Sequence, residues 1–186
     1  MKLKKSPLAP EKFPSLPSVK GLKIGTSKSN IRYKNRQDIL TVTFDNLASV
    51  AGVFTLSQIP AAPVNFCKKN LINGYAKGLV VNAGIANSFT GKKGINNNRK
   101  IANYFSKLIN ARQKDVFVCS TGVIGEQLPL LKTKRAIKSS YLSKKKNCEN
   151  AAKAIMTTDT FPKASGKSIK IDNDEISIVG ISKGSG

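Results

Sequence analysis

The 186-residue chain sets 32 Lys and Arg against 10 Asp and Glu, a net charge of +22, with 40% hydrophobic residues and no histidine. That apolar share is enough to build a core and excludes global disorder. No apolar run approaches the roughly 18–20 residues of a membrane-spanning helix. Without histidine the chain offers no Ser-His-Asp triad, no Cys-His pair and no histidine-based metal site, so no metal is expected. The basic start, Met1-Lys2-Leu3-Lys4-Lys5, is not followed by an apolar stretch of signal-peptide length, and a cytoplasmic protein is expected.

A charge this high points first to nucleic acid or another polyanion. The lysines are scattered, however, with short clusters only at residues 2–5 and 144–146. Aromatics make up 6% and tryptophan is absent, leaving little to stack on bases. Nucleic acid is therefore not the expected partner. Cys67, Cys119 and Cys148 lie far apart, which suits neither a disulfide framework nor a zinc site.

In chain order, four prolines (Pro7, Pro10, Pro14 and Pro17) forbid a helix over residues 6–23 and predict an extended arm. The α/β body is expected over residues 31–186, within one domain spanning 1–186. β-branched alternation predicts a strand at 39–44, and Ala51-Gly52-Val53-Phe54-Thr55 reads as the next. Residues 79–84 form a short apolar run feeding a loop. Ile101, Tyr104, Phe105, Leu108 and Ile109 recur at helical spacing within 96–112, behind an Asn-rich cap. A buried strand is expected at 115–120, broken by Thr121-Gly122, then one helix over 134–156. Strands at 168–171 and 175–181 flank an Asp172-Asn173-Asp174 turn. Strands alternating with helices indicate α/β.

Three glycine-bearing loops follow apolar strands: residues 82–91, Ser120-Thr121-Gly122-Val123-Ile124-Gly125-Glu126, and Lys183-Gly184-Ser185-Gly186. None fits the Walker phosphate loop or the dinucleotide fingerprint. A strand ending in Ser-Thr-Gly can turn backbone N–H groups and a hydroxyl toward a tetrahedral acyl intermediate. The same glycines equally serve a plain tight turn. Thr157-Thr158-Asp159-Thr160 reads either as a helix terminus with local side-chain bonds or as the polar lining of a small-substrate site.

Taken together and in order, these segments resemble the ornithine acetyltransferase (glutamate N-acetyltransferase) family. The series comprises Ser6-Pro7-Leu8-Ala9-Pro10, Phe13-Pro14, Arg36-Gln37-Asp38-Ile39, Ala51-Gly52-Val53-Phe54-Thr55 and Ala61-Ala62-Pro63-Val64, then the 82–91 and 120–126 loops. Ile155-Met156-Thr157-Thr158-Asp159-Thr160 and Lys183-Gly184-Ser185-Gly186 complete it. Ile85 departs, standing where the family usually has a polar residue. The resemblance implies a layered α-β-β-α sandwich, of which this chain is the N-terminal, α-chain part. It also implies a precursor that cuts itself before a threonine, which lies beyond Gly186 and opens the β chain. That threonine would be the nucleophile and its free amine the base, consistent with the missing histidine. By position, Thr121 and Gly122 would form the oxyanion hole, while Thr157 and Lys183 would contact substrate, with Thr158 a near alternative to Thr157. The implied reaction moves acetyl from N²-acetyl-L-ornithine to L-glutamate by a ping-pong route in arginine biosynthesis. No bound cofactor is implied; acetyl-CoA stays open as a second acetyl donor. Implied partners are the β chain and further αβ units. A self-processing N-terminal-nucleophile aminopeptidase and a basic nucleic-acid-binding module are the alternatives.

Overall fold

The structure, a computed structural model, describes residues 4–143 and 147–184. Lys2 of the first lysine cluster, the whole cluster at 144–146, and Ser185 and Gly186 of the last glycine loop lie outside the described residues. Strand β1 (Leu22–Ser27) pairs antiparallel with β2 (Ile39–Ser49), and β2 pairs antiparallel with β3 (Tyr75–Ile85). β3 then pairs in parallel with β4 (Val116–Val123), giving the sheet order β1-β2-β3-β4. A parallel pair needs a crossover, here supplied by helix α2 (Gly91–Leu108) and a 3-10 turn at Gln113–Asp115. Helix α1 (Ala62–Leu71) precedes β3; α3 (Leu130–Ser143) and α4 (Cys148–Ala154) follow β4. A separate hairpin, β5 (Lys163–Ile171) and β6 (Asp174–Ser182), closes the described chain. The mixed α/β class is as expected from the alternation of patterns.

Period-two alternation divides the sheet's side chains between two faces. Ile39, Val80, Val116 and Val118 pack with Ile101 and Phe105 of α2 and Ala136 and Ile137 of α3. Ile24 and Leu40 turn the other way, onto Ala151 and Ala154 of α4. Gly25 lets α3 approach β1: a Cβ there would sit 1.9 Å from the Ser140 carbonyl oxygen. Thr41 and Ser140 hydroxyls hydrogen-bond at 2.9 Å across the same contact. The outer edge of β4, which would otherwise expose unpaired carbonyls, is covered by α1. Cys67 Sγ donates to the Val118 carbonyl at 3.2 Å, and Asn70 Nδ2 to the Val116 carbonyl at 2.9 Å. All three cysteines are free.

Several elements differ from the sequence reading. Residues 51–55 form no strand. The β2–β3 ladder ends at Ser49 opposite Tyr75, so the β-branched run has no ladder to join, and Val53 is 98% exposed. β-propensity without a neighbouring strand does not make a strand. β1 begins inside the expected arm, at Leu22, and α1 carries no periodicity strong enough to read. Helix α2 starts at Gly91 rather than 96 and stops at Leu108. The expected 134–156 helix is two helices, because the Asn147 side chain accepts from Asn150 N–H at 2.8 Å and starts α4 afresh. β4 is not broken at Thr121-Gly122 but pairs with β3 through Val123.

Phe105 is fully buried between α3 and the sheet. Phe105→Ala should therefore lower stability by about 3–5 kcal/mol, measured by denaturant titration of the protein.

Candidate functional site

Thr121 and Gly122 sit at the C-terminal end of β4, opposite Ala83 and Gly84 of β3. Gly122 has φ of +129° and Gly84 of +108°, the region where a side chain is strained. Space excludes a side chain as well. A Cβ on Gly122 would lie 2.2 Å from the Gly84 carbonyl carbon, and one on Gly84 would lie 2.8 Å from Arg32 Cβ. The two strand ends are thus in backbone-to-backbone contact, which brings the polar edge of the Thr121 loop against the 82–91 loop. Ser120 locks the pair: its hydroxyl accepts from Asn87 N–H at 2.8 Å and donates to the Ile85 carbonyl at 3.1 Å. Ile85, the departure from the family pattern, places its side chain in the main core. The Thr121 hydroxyl meets no hydrogen-bond partner among the described residues.

The other two candidates come together across 26 positions of sequence: Lys183 Nζ donates to Thr157 Oγ1 at 3.0 Å. What joins them is Asp159, buried just beyond the end of α4. Its carboxylate accepts from Lys163 Nζ at 2.8 Å, Gly184 N–H at 2.7 Å and Thr157 N–H at 3.1 Å, with Lys183 Nζ 3.7 Å away. Burial opposes ionisation of Asp159, but the hydrogen bonds from Lys163, Thr157 and Gly184 and the Lys163 charge outweigh it. Its carboxyl is held well below the usual carboxylate range. The local side-chain bonding expected at this helix terminus is present, and it also gathers a lysine and a threonine from distant segments.

The two clusters are connected through residues 32–36. Tyr33 packs against Gly84, with Cε2 3.1 Å from where its Cβ would lie. The Arg36 guanidinium stacks on the Tyr33 ring at 4.1 Å and donates to the Met156 carbonyl, next to Thr157. Arg32 pairs with Glu126 at 3.6 Å, beyond Gly122. The sequence alone gives no separate role to Asp159, Lys163 or Arg36, although Asp159 lies in the Thr157–Thr160 segment and Arg36 opens Arg36-Gln37-Asp38-Ile39. Asp among threonines after a helix was the available signal for an acceptor of backbone N–H groups.

Because folding depresses the Asp159 pKa, its stabilising contribution is present above the unfolded value of about 3.9 and is lost as pH falls through the folded value. Asp159→Asn should cost about 1–3 kcal/mol at pH 7. The gap to the wild type should close progressively only below about pH 5, as read from urea denaturation at several pH values.

With this geometry in place, the likeness to known proteins has a structural meaning. Residues 23–186 match the ArgJ family. The chain is 46% identical over 182 residues to the arginine biosynthesis bifunctional protein ArgJ of Mesorhizobium japonicum, covering 97% of this chain and 44% of that protein. It is 43% identical over 187 residues to the protein of the same name from Bartonella henselae, covering 100% and 46%. The chain spans less than half the length of the curated relatives it matches. Among solved structures, arginine biosynthesis bifunctional protein ArgJ from Bacillus halodurans superposes with a TM-score of 0.81 at 28% identity, covering 90% of this chain and 88% of that one. Ornithine acetyltransferase from Mycobacterium tuberculosis, complexed with ornithine, gives 0.84 at 28% identity, covering 90% of both chains. Sequence and fold therefore agree, and the chain belongs to the ArgJ family.

Proposed function

We propose that this chain is the α chain of a glutamate N-acetyltransferase that moves acetyl from N²-acetyl-L-ornithine to L-glutamate. The observation that carries the reading is a contrast in coverage. The chain matches 90% of an ornithine acetyltransferase chain solved with ornithine, yet only 44% of a curated relative's full length. A protein divided into two chains near its middle accounts for both figures. Large apolar side chains lie open on this half: Val53 and Leu56 are each 98% exposed and Ile178 60%. A second chain covering them would remove that surface from water.

In the proposed cycle the hydroxyl of the β chain's N-terminal threonine attacks the acetyl carbon, and its own amine takes the proton. The oxyanion that forms is held by the Thr121 hydroxyl and the Gly122 N–H. Collapse expels the ornithine amine, which takes the proton back from the threonine's amine, and leaves an acetyl ester on the threonine. The glutamate amine then attacks that ester through the same hole and departs as N-acetylglutamate, restoring the hydroxyl. Thr157 and Lys183 bind the substrates, Lys183 supplying positive charge for a carboxylate. Asp159 holds both in place without leaving its buried position. No metal or bound cofactor enters this cycle.

Oxyanion and binding roles separate in steady-state kinetics with N-acetylornithine and glutamate. Thr121→Ala should lower kcat on the order of 10²–10³-fold with the circular dichroism spectrum retained. Lys183→Met should mainly raise KM. Full turnover by Thr121→Ala would remove its assigned role. Residues 1–186 expressed alone should self-associate and lack transferase activity, while co-expression with the β chain should restore a monodisperse, active protein. Size-exclusion chromatography with an activity assay reads both, and an active isolated chain would contradict the location of the nucleophile.

A further inference from the structure

Cys67 and Cys119 stand far apart in the sequence, and folding brings them together. Cys67, on α1, is 5% exposed and packs with Ala76 and Phe117 in one apolar cluster. Alternation along β4 puts Cys119 on the same face of the strand as Phe117. Cys67 Sγ lies 3.2 Å from the Val118 carbonyl oxygen, whose carbon is bonded to the Cys119 nitrogen. Both thiols are free, and they hydrogen-bond to each other. They line one cavity of about 270 Å³, walled by Phe44, Phe54, Leu71 and Phe117, from which Cys119 is open to solvent. Cys148 lies elsewhere, beside Phe13 and Leu16 of the Pro-rich arm.

A single buried cysteine acts as a small apolar residue and calls for no chemistry. Two thiols in contact differ, because one can carry the charge while the other supports it. The hydrogen bond from Cys119 draws the Cys67 thiol below its ordinary pKa, and the same bond pushes Cys119 up so that it keeps its proton. A thiolate is the form that attacks an oxidant, and a neighbouring thiol is what resolves the product. We propose that Cys67 and Cys119 are a reversible oxidation site for hydrogen peroxide, closing to a disulfide that joins α1 to β4. The Cys67 thiolate attacks one peroxide oxygen and the O–O bond breaks, leaving a sulfenic acid on Cys67. The hydroxide released takes up the proton that Cys67 had given to water. The Cys119 sulfur then attacks the Cys67 sulfur, the S–O bond breaks, and a second water leaves with the Cys119 proton. Two thiols thus lose two electrons and two protons, and the peroxide gains them as two waters. Thiol–disulfide exchange with an added dithiol reverses the link. The bond would close a loop containing β3 and α2, tying α1 to the strand that carries Thr121 and Gly122. The site does not depend on the acetyl-transfer reading.

The test treats the reduced, folded full-length protein with a small excess of hydrogen peroxide at neutral pH, alkylates the remaining thiols and maps tryptic peptides by mass without reductant. The peptides carrying Cys67 and Cys119 should appear joined and two hydrogens lighter than their sum, and dithiothreitol should part them. A non-reducing gel should show the link within one chain. Cys148, a single thiol, should be oxidised at least about tenfold more slowly than the pair. Cys119→Ala, at an exposed position, should abolish the joined peptide and slow oxidation of Cys67 several-fold, because the donor that supports its thiolate is gone. Should that variant fail to fold, the joined peptide of the wild type decides. The proposal is overturned by unoxidised Cys67 and Cys119, by their passage to sulfinic or sulfonic acid without a link, by links only between chains, or by oxidation of Cys148 at the rate of the pair. Unchanged oxidation of Cys67 in a folded Cys119→Ala variant would overturn the part given to Cys119.

Discussion

Two glycines on neighbouring parallel strands are in contact through their backbones, and the candidate site is arranged around that contact. With 2.2 Å between a would-be Cβ of Gly122 and the Gly84 carbonyl carbon, no side chain fits between the strand ends. Closeness there lets Ser120 bridge both loops with one hydroxyl and lets Ala86 N–H reach the Val123 carbonyl at 2.8 Å. The strands are held together past the point where a sheet would ordinarily fray. Thr121 is therefore carried on a paired strand end and not on a free loop.

The second half of the site is organised by charge rather than by contact. Asp159 gathers two lysines and two backbone N–H groups from three segments onto one buried carboxylate. A carboxylate so buried stays ionised only because these donors compensate it, so the arrangement is interdependent. Removing one member leaves the others with unmet charge or unpaired N–H groups. Arg36 then connects this cluster to the glycine contact, one face on Tyr33 and one N–H on the Met156 carbonyl. Even the Pro-rich arm is tied in, with Ser6 N–H donating to Thr160 Oγ1 at 3.2 Å.

The +22 charge takes on a different meaning in three dimensions. Along the chain the lysines are dispersed, and no stretch reads as a polyanion footprint. Folding assembles Lys69, Arg99 and Lys114 from three elements around one groove. It also sends other lysines to discrete acidic partners: Lys163 to Asp159, and Lys153 to Glu149 at 2.6 Å. Exposed pairs of the latter kind contribute little to stability.

By itself the sequence determined the elements whose signal is local. Alternation marked β2 at Ile39, apolar spacing marked the body of α2, and an Asp-Asn pair marked the tight turn between β5 and β6, where Asp172 adopts φ of +53°. It also determined the exclusions that follow from having no histidine, and the ordered motifs by which the family is recognised. What it could not determine depends on neighbours. Residues 51–55 have strand composition and no strand to pair with, whereas Thr121-Gly122 have turn composition and remain in the ladder because Gly84 lies opposite. Thr157 and Lys183, 26 positions apart, are brought into direct contact beside Asp159, and the cavity between α1 and α2 exists only once those helices lie side by side. Propensity and periodicity act over a few residues, while pairing, burial and charge compensation are set by groups brought close from far along the chain, and only the tertiary structure decides which those are.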